Sequence, residues 1–163
     1  MKVILDSDII SMFAKADKID ILRRFFKNEI YITPKIRDEI MVPKEYGYEF
    51  PDRIISKVDT FPVDKDVLNE YEKYYDNTDL GKGELEAISL CKIKNHLFCT
   101  NDSKARKFAK EEGVNVISLQ AVLKALWKSE TLQKEEVEKL LSLLIEVDKL
   151  SIGDKTKRAI FQE

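Results

Sequence analysis

The stretch LGKGELEAISLCKIKNHLFCTND, Leu80 to Asp102, joins two kinds of pattern. Leu80–Lys94 reads as a helix. At about 100° per residue, Ala87, Ile88 and Cys91 cover an apolar arc centred on Glu84. The wheel is not clean, because Leu85, Leu90 and Ile93 spread apolar groups around it. Glu86 points nearly opposite to Glu84 and is expected to be solvated. Leu97, Phe98 and Cys99 then read as a short buried strand ending in Thr100, Asn101 and Asp102. A carboxylate set into an apolar arc is costly unless it is paired or bound to a metal. A helix feeding a short apolar strand is the repeating unit of a parallel sheet covered on both faces.

The same unit recurs along the chain. Lys2–Leu5 is a continuous apolar strand, followed by a helix over DIISMFAKA and, after a break, IDILRRFFK. Ile30–Thr33 is a second strand. Thr33 and Pro34 then start a helix, an N-cap followed by proline at the first helical position. Pro43–Asp52, rich in proline and aromatics, reads as a loop, and RIISKV (Arg53–Val58) as a third strand. A polar-faced helix DKDVLNEYEKYY leads to the opening stretch. Beyond it come a helix SKARKFAKEEG, a strand VNVIS, two helical runs and a short last helix DKTKRAIFQ. The expected fold is α/β, a sheet between helical layers. Residues 1–163 form one domain, with residues 131–163 as a C-terminal helical extension packed on it.

The chain has 163 residues, 44% hydrophobic and 36% charged, which suits one globular domain and excludes a disordered chain. No apolar run is long enough to span a bilayer, and MKVILDSD reaches an acid too soon for a signal peptide. A cytoplasmic protein without membrane contact is expected. Cys91 and Cys99 have no metal-ligand or redox spacing and read as reduced core residues. The one histidine, His96, excludes a His-rich zinc site. The net charge of −2 decides nothing about nucleic acid, because acids built to hold a metal hide basic residues in the sum.

In open parallel sheets, sites form beyond the carboxyl ends of the strands. Asp6 follows the first strand, with Asp8 two residues on, and Asp102 follows LFCT. Glu39 flanks the apolar stripe of its helix, while Asp38 points away. Gly81 and Gly83 bracket the start of the Glu84 helix, where close backbone approach is easy. Each acid also has a plain role: Asp6 and Asp102 can cap the helices that follow them, and Glu39 and Glu84 can be rim residues. Together, converging carboxylates would raise one another's pKa, and a hard divalent cation, Mg²⁺ or Mn²⁺, resolves that repulsion. Phosphodiester hydrolysis is the matching chemistry.

These residues resemble the PIN-domain family, and its VapC-like ribonucleases in particular. VILDSD supplies Asp6, TPKIRDEI supplies Glu39, GKGELEAISL supplies Glu84 and TND supplies Asp102, with 102 − 84 = 18 residues separating the last two. Asp8 stands where the family usually has Ser, Thr or Asn, and can be an extra ligand. Glu84 resembles the GxGE-x-EAI branch. The resemblance implies a three-layer α/β/α sandwich with a parallel sheet of about five strands; five candidates begin at Lys2, Ile30, Arg53, His96 and Val114. It also implies a metal-dependent endoribonuclease, often the toxin of a toxin–antitoxin pair and often a homodimer. RNA and an antitoxin protein are the implied partners.

Lys82, Lys104, Arg106 and Lys107 flank the acids and can contact RNA phosphates, or simply form a solvated face. Tyr46, Tyr48 and Phe50 can stack on bases but are expected to pin their loop to the domain. Trp127 and the stripe Val137, Leu140, Leu141 and Leu144 read as core. A phosphoacceptor receiver-like domain fits less well, because no Lys follows VNVIS closely. A non-catalytic PIN-like RNA-binding module would lack one of the acids, and none is missing.

Overall fold

The computed structural model describes residues 1–76 and 78–163. Five parallel strands form its sheet: β1 (Val3–Leu5), β2 (Ile30–Ile32), β3 (Asp59–Thr60), β4 (Leu97–Cys99) and β5 (Val116–Ile117). Their order is β3-β2-β1-β4-β5. The chain therefore moves one way from β1 to β3, then reverses across β1 to β4 and β5. The crevice between β1 and β4 is the topological switch point, where ligands bind in such sheets. Register is set by Val3 opposite both Ile30 and Leu97, and by Leu5 opposite Cys99. All three β1 residues are buried, which is why the strand reads as a continuous apolar run.

Between β1 and β2 lie α1 (Ser7–Lys15) and α2 (Ile19–Phe25). Between β2 and β3 lie α3 (Pro34–Glu45) and α4 (Phe50–Lys57). The return to β4 carries α5 (Lys65–Tyr74) and α6 (Lys82–Lys94), and α7 (Ser103–Glu111) leads to β5. The chain closes with α8 (Leu119–Lys128), α9 (Lys134–Asp148) and α10 (Asp154–Phe161). Helices on both faces make a three-layer α/β/α sandwich, with α1 packed on α4 and α9, and α6 on α5 and α3. Val137, Leu140, Leu141 and Leu144 of α9 are buried in the same core as Phe13, Phe98 and Ile4. Trp127 is only partly buried; its indole N–H donates to the Ile160 carbonyl at 2.8 Å and ties α10 to α8. No helix among the described residues is long and apolar enough to cross a membrane.

Two readings of the sequence are corrected. RIISKV is not the third strand: it lies mostly in α4, and β3 is the following pair Asp59–Thr60. Phe50 and Ile54 stand at helical spacing, and their burial on the α1 side outweighs the strand preference of the isoleucines. Nor is Pro43–Asp52 wholly loop, since α3 runs through Pro43 to Glu45 and α4 begins at Phe50. Of its aromatics only Phe50 is buried and pins the segment. Tyr46 and Tyr48 are 78% and 60% exposed.

Candidate active site

Asp6 leaves the sheet directly from β1. Its backbone N–H donates to the Cys99 carbonyl at 2.9 Å, extending the β1–β4 ladder by one residue. Its side chain is buried, accepts from Ser7 N–H at 2.8 Å and so caps α1. Its other oxygen accepts from the Thr100 hydroxyl at 2.6 Å. Asp102 caps α7, accepting from the Lys104 and Ala105 amides at 2.8 and 3.1 Å. The Asp102 amide in turn donates to Thr100 Oγ1 at 3.2 Å. One buried hydroxyl at the end of β4 thus ties together the acids that follow β1 and β4. Both acids are helix caps, and both stand beyond the carboxyl ends of the two strands that flank the switch point.

Glu39 and Glu84 arrive from α3 and α6. Glu39 is exposed, and its Oε1 accepts from the Gly83 amide at 3.1 Å. Gly83 leaves room for that contact: a Cβ there would lie 2.4 Å from Glu39 Oε1 and 3.1 Å from Ile36 Cγ1. Glu84 is half-buried. Its Oε1 reaches back to accept from the Gly81 amide at 3.2 Å, while its buried Oε2 has no hydrogen-bond partner.

Electrostatics couple these groups. Burial pushes the Asp6 carboxyl up to about 6, with Asp8 and Glu39 adding repulsion and the Thr100 hydroxyl opposing. Burial, then Asp6 and Asp102, push Glu84 up to about 7. Glu84 also faces Asp102 closely enough for a carboxyl–carboxylate hydrogen bond. Carboxylate oxygens only accept, in keeping with the missing partner of Glu84 Oε2. Asp8, though exposed, is raised by displaced water first, then by Asp148 and Asp102.

The wheel reading of α6 is corrected. Residues Leu85 to Cys91 are buried on all sides, because α5, α3 and the sheet enclose the helix. Glu86, expected in solvent, is one of them, and it accepts from the Lys35 amide at 2.8 Å. From sequence Glu86 reads as solvated and Thr100 only as part of the strand-end motif, and neither is given a role in holding the site. Their signal was present in the ELE pair and in the T-x-D spacing, but only the packing shows what each side chain holds. Among the basic candidates, Arg106 donates to the Thr100 carbonyl at 3.3 Å. Lys82 lies over the Tyr75 ring, and Lys104 stands exposed, 3.9 Å from Asp79. Cys91 and Cys99 are free and buried.

Among the described residues, no group of three or more His, Cys, Asp or Glu side chains stands at metal-holding spacing. The donor chemistry nevertheless fits a hard cation. The coupled groups are all carboxylates, and one buried oxygen lacks any partner. The family comparison covers this whole arrangement: residues 2–163 match the family described as PIN domain. The chain belongs to the PIN-domain family, whose members are generally nucleases. No curated protein matches it significantly.

Proposed function

We propose that the protein is a metal-dependent endoribonuclease of the VapC-like, GxGE-x-EAI type, with Asp6, Glu39, Glu84 and Asp102 as its acid set. The observation that carries this reading is Glu84, whose buried Oε2 has no partner while Asp6 and Asp102 repel it. Stability alone would favour an apolar residue or a balancing cation there. Such cost is ordinarily kept where function needs it.

Asp6, Glu39, Glu84 and Asp102 would hold Mg²⁺ or Mn²⁺, with Asp8 at the rim. The ion, when bound, would supply a water of lowered pKa and steady charge on the scissile phosphate. The protein's own part is orientation. Thr100 fixes Asp6 and the Asp102 backbone, and Gly83 holds one oxygen of Glu39, leaving Oε2 for a ligand. Histidine has no role in this scheme, since His96 sits at the start of β4, the opposite end of the strand from Asp102. We read the chain as one PIN-like domain of the cytoplasm, with 131–163 as its packed extension. An antitoxin partner and a homodimer belong to the same reading.

The test is cleavage of labelled single-stranded and looped RNA with Mg²⁺ or Mn²⁺, with and without EDTA. Wild type should cut only with metal, and Asp102→Asn should not cut. Equal cutting by both would refute the site. Binding without cutting under any divalent metal would support the non-catalytic module instead.

A further inference from the structure

We propose that Tyr75, backed by Tyr71 and flanked by Lys35 and Lys82, is a stacking ledge for an unpaired RNA strand at the rim of the acid cluster. The inference rests on the nuclease reading above and assigns its substrate contacts.

Tyr75 ends α5 and is 50% exposed. Its ring centroid lies 6.0 Å from that of Tyr71, tilted by 54°. Tyr71 is buried with Tyr74 and Leu85, so the backing is held by core packing. Lys82 Nζ stands 5.8 Å from the Tyr75 centroid, and Lys35 Nζ 5.2 Å from that of Tyr71. Two lysines therefore gather over two neighbouring, mutually tilted tyrosine rings. Neither lysine pairs with a carboxylate among the described residues.

Their placement ties the ledge to the acids. Lys35 lies in the first turn of α3, four residues before Glu39 and on the same side of that helix, while Lys82 opens α6, two residues before Glu84 and on another side of the helix. The helices that present two of the acids thus also present the two cations. A cluster of carboxylates repels a phosphate backbone, so a strand reaches it only where nearby cations offset that field. An aromatic face beside those cations stacks any base, and single strands offer unstacked bases to it. Tyr46 and Tyr48 are more exposed, but they follow the far end of α3, away from Lys35.

The experiment uses the Asp102→Asn protein, which should bind without cutting, and a short labelled oligouridine followed by fluorescence anisotropy across a salt series. Tyr75→Ala should weaken binding about tenfold, and Tyr75→Phe should keep it. Lys82→Ala should lower the salt slope by about one. Thermal unfolding of each variant is measured in parallel. If Tyr75→Ala is unstable, Tyr75→Leu, which keeps bulk without a stacking face, takes its place. Unchanged affinity in the stable variant overturns the ledge, as does duplex RNA binding as tightly as the single strand. Wild-type cleavage separates the two proposals. Cutting with KM unmoved by Tyr75→Ala sinks the ledge alone, whereas Tyr75-dependent binding with no cutting under any metal upholds the ledge and sinks the nuclease.

Discussion

Glu39 and Glu86 cap each other's helices: Glu39 of α3 accepts from the Gly83 amide of α6, and Glu86 of α6 accepts from the Lys35 amide of α3. Each carboxylate satisfies an otherwise orphaned amide in the other helix's first turn, where the helix dipole favours negative charge. This exchange locks α3 and α6 in one register, and with them the two acids they carry.

Gly83→Ala should separate stability from activity. The new Cβ overlaps Glu39 Oε1 at 2.4 Å, which the exposed Glu39 side chain can relieve by swinging aside, and meets Cγ1 of the buried Ile36 at 3.1 Å, which must give slightly. Alanine gains up to about 1 kcal/mol of helix propensity over glycine. That gain offsets part of the lost Glu39 bond, so the melting temperature should fall only modestly while RNA cleavage falls tenfold or more. Full cleavage by this variant would mean that the Glu39 position is immaterial.

Glu86→Ala should cost stability as well. It leaves the Lys35 amide unpaired near the core, a loss of about 1–3 kcal/mol. Glu86→Gln keeps an acceptor and should restore most of it. Urea unfolding of both variants distinguishes this brace from a generic packing effect, which Gln would not rescue.

Asp6 and Glu84 give stability a definite pH dependence. Their folded values, about 6 and about 7, lie above the ordinary 3.8 and 4.5. Their contribution is therefore full below about pH 4 and is lost as pH rises through 6 to 7. Glu70 acts oppositely: Lys92 holds it at about 2, so its contribution is present above pH 4.5 and lost as pH falls toward 2. Asp6→Asn keeps a capping oxygen without the charge. It should match wild type near pH 4 and exceed it at pH 8 by about 2 kcal/mol, while abolishing cleavage. A large loss of stability at pH 8 would show that capping by the carboxylate outweighs its burial.

Thr100→Val removes the hydroxyl that lowers the Asp6 pKa and receives the Asp102 amide. Asp6 then stays neutral to higher pH, so the acidic limb of the cleavage profile should move up. A profile unchanged in position, with only lower amplitude, would reduce Thr100 to a packing role.

His96→Ala should cut RNA as wild type does. The ring accepts weakly from the Lys2 amide, at 3.4 Å, and packs edge-on against Phe61, away from the acids. A variant that folds but cannot cut would place a histidine in the chemistry and refute the all-carboxylate site.

The layer order of this protein was legible because buried parallel strands must be apolar throughout, and VIL, IYI and LFC announce themselves. The acids at strand ends were legible too, since Asp6 and Asp102 sit where β1 and β4 run out, whatever the rest of the chain does. The third strand was not, because two residues carry no periodicity and the isoleucines before them belong to α4. Nor was the face of α6 readable. A helix buried on nearly every side has no polar stripe from which to judge direction, so Glu86 looked free while tertiary packing had enclosed it. Which amide each carboxylate would find depended on how α3 and α6 meet, and that is decided by contacts between residues 44 and 51 positions apart.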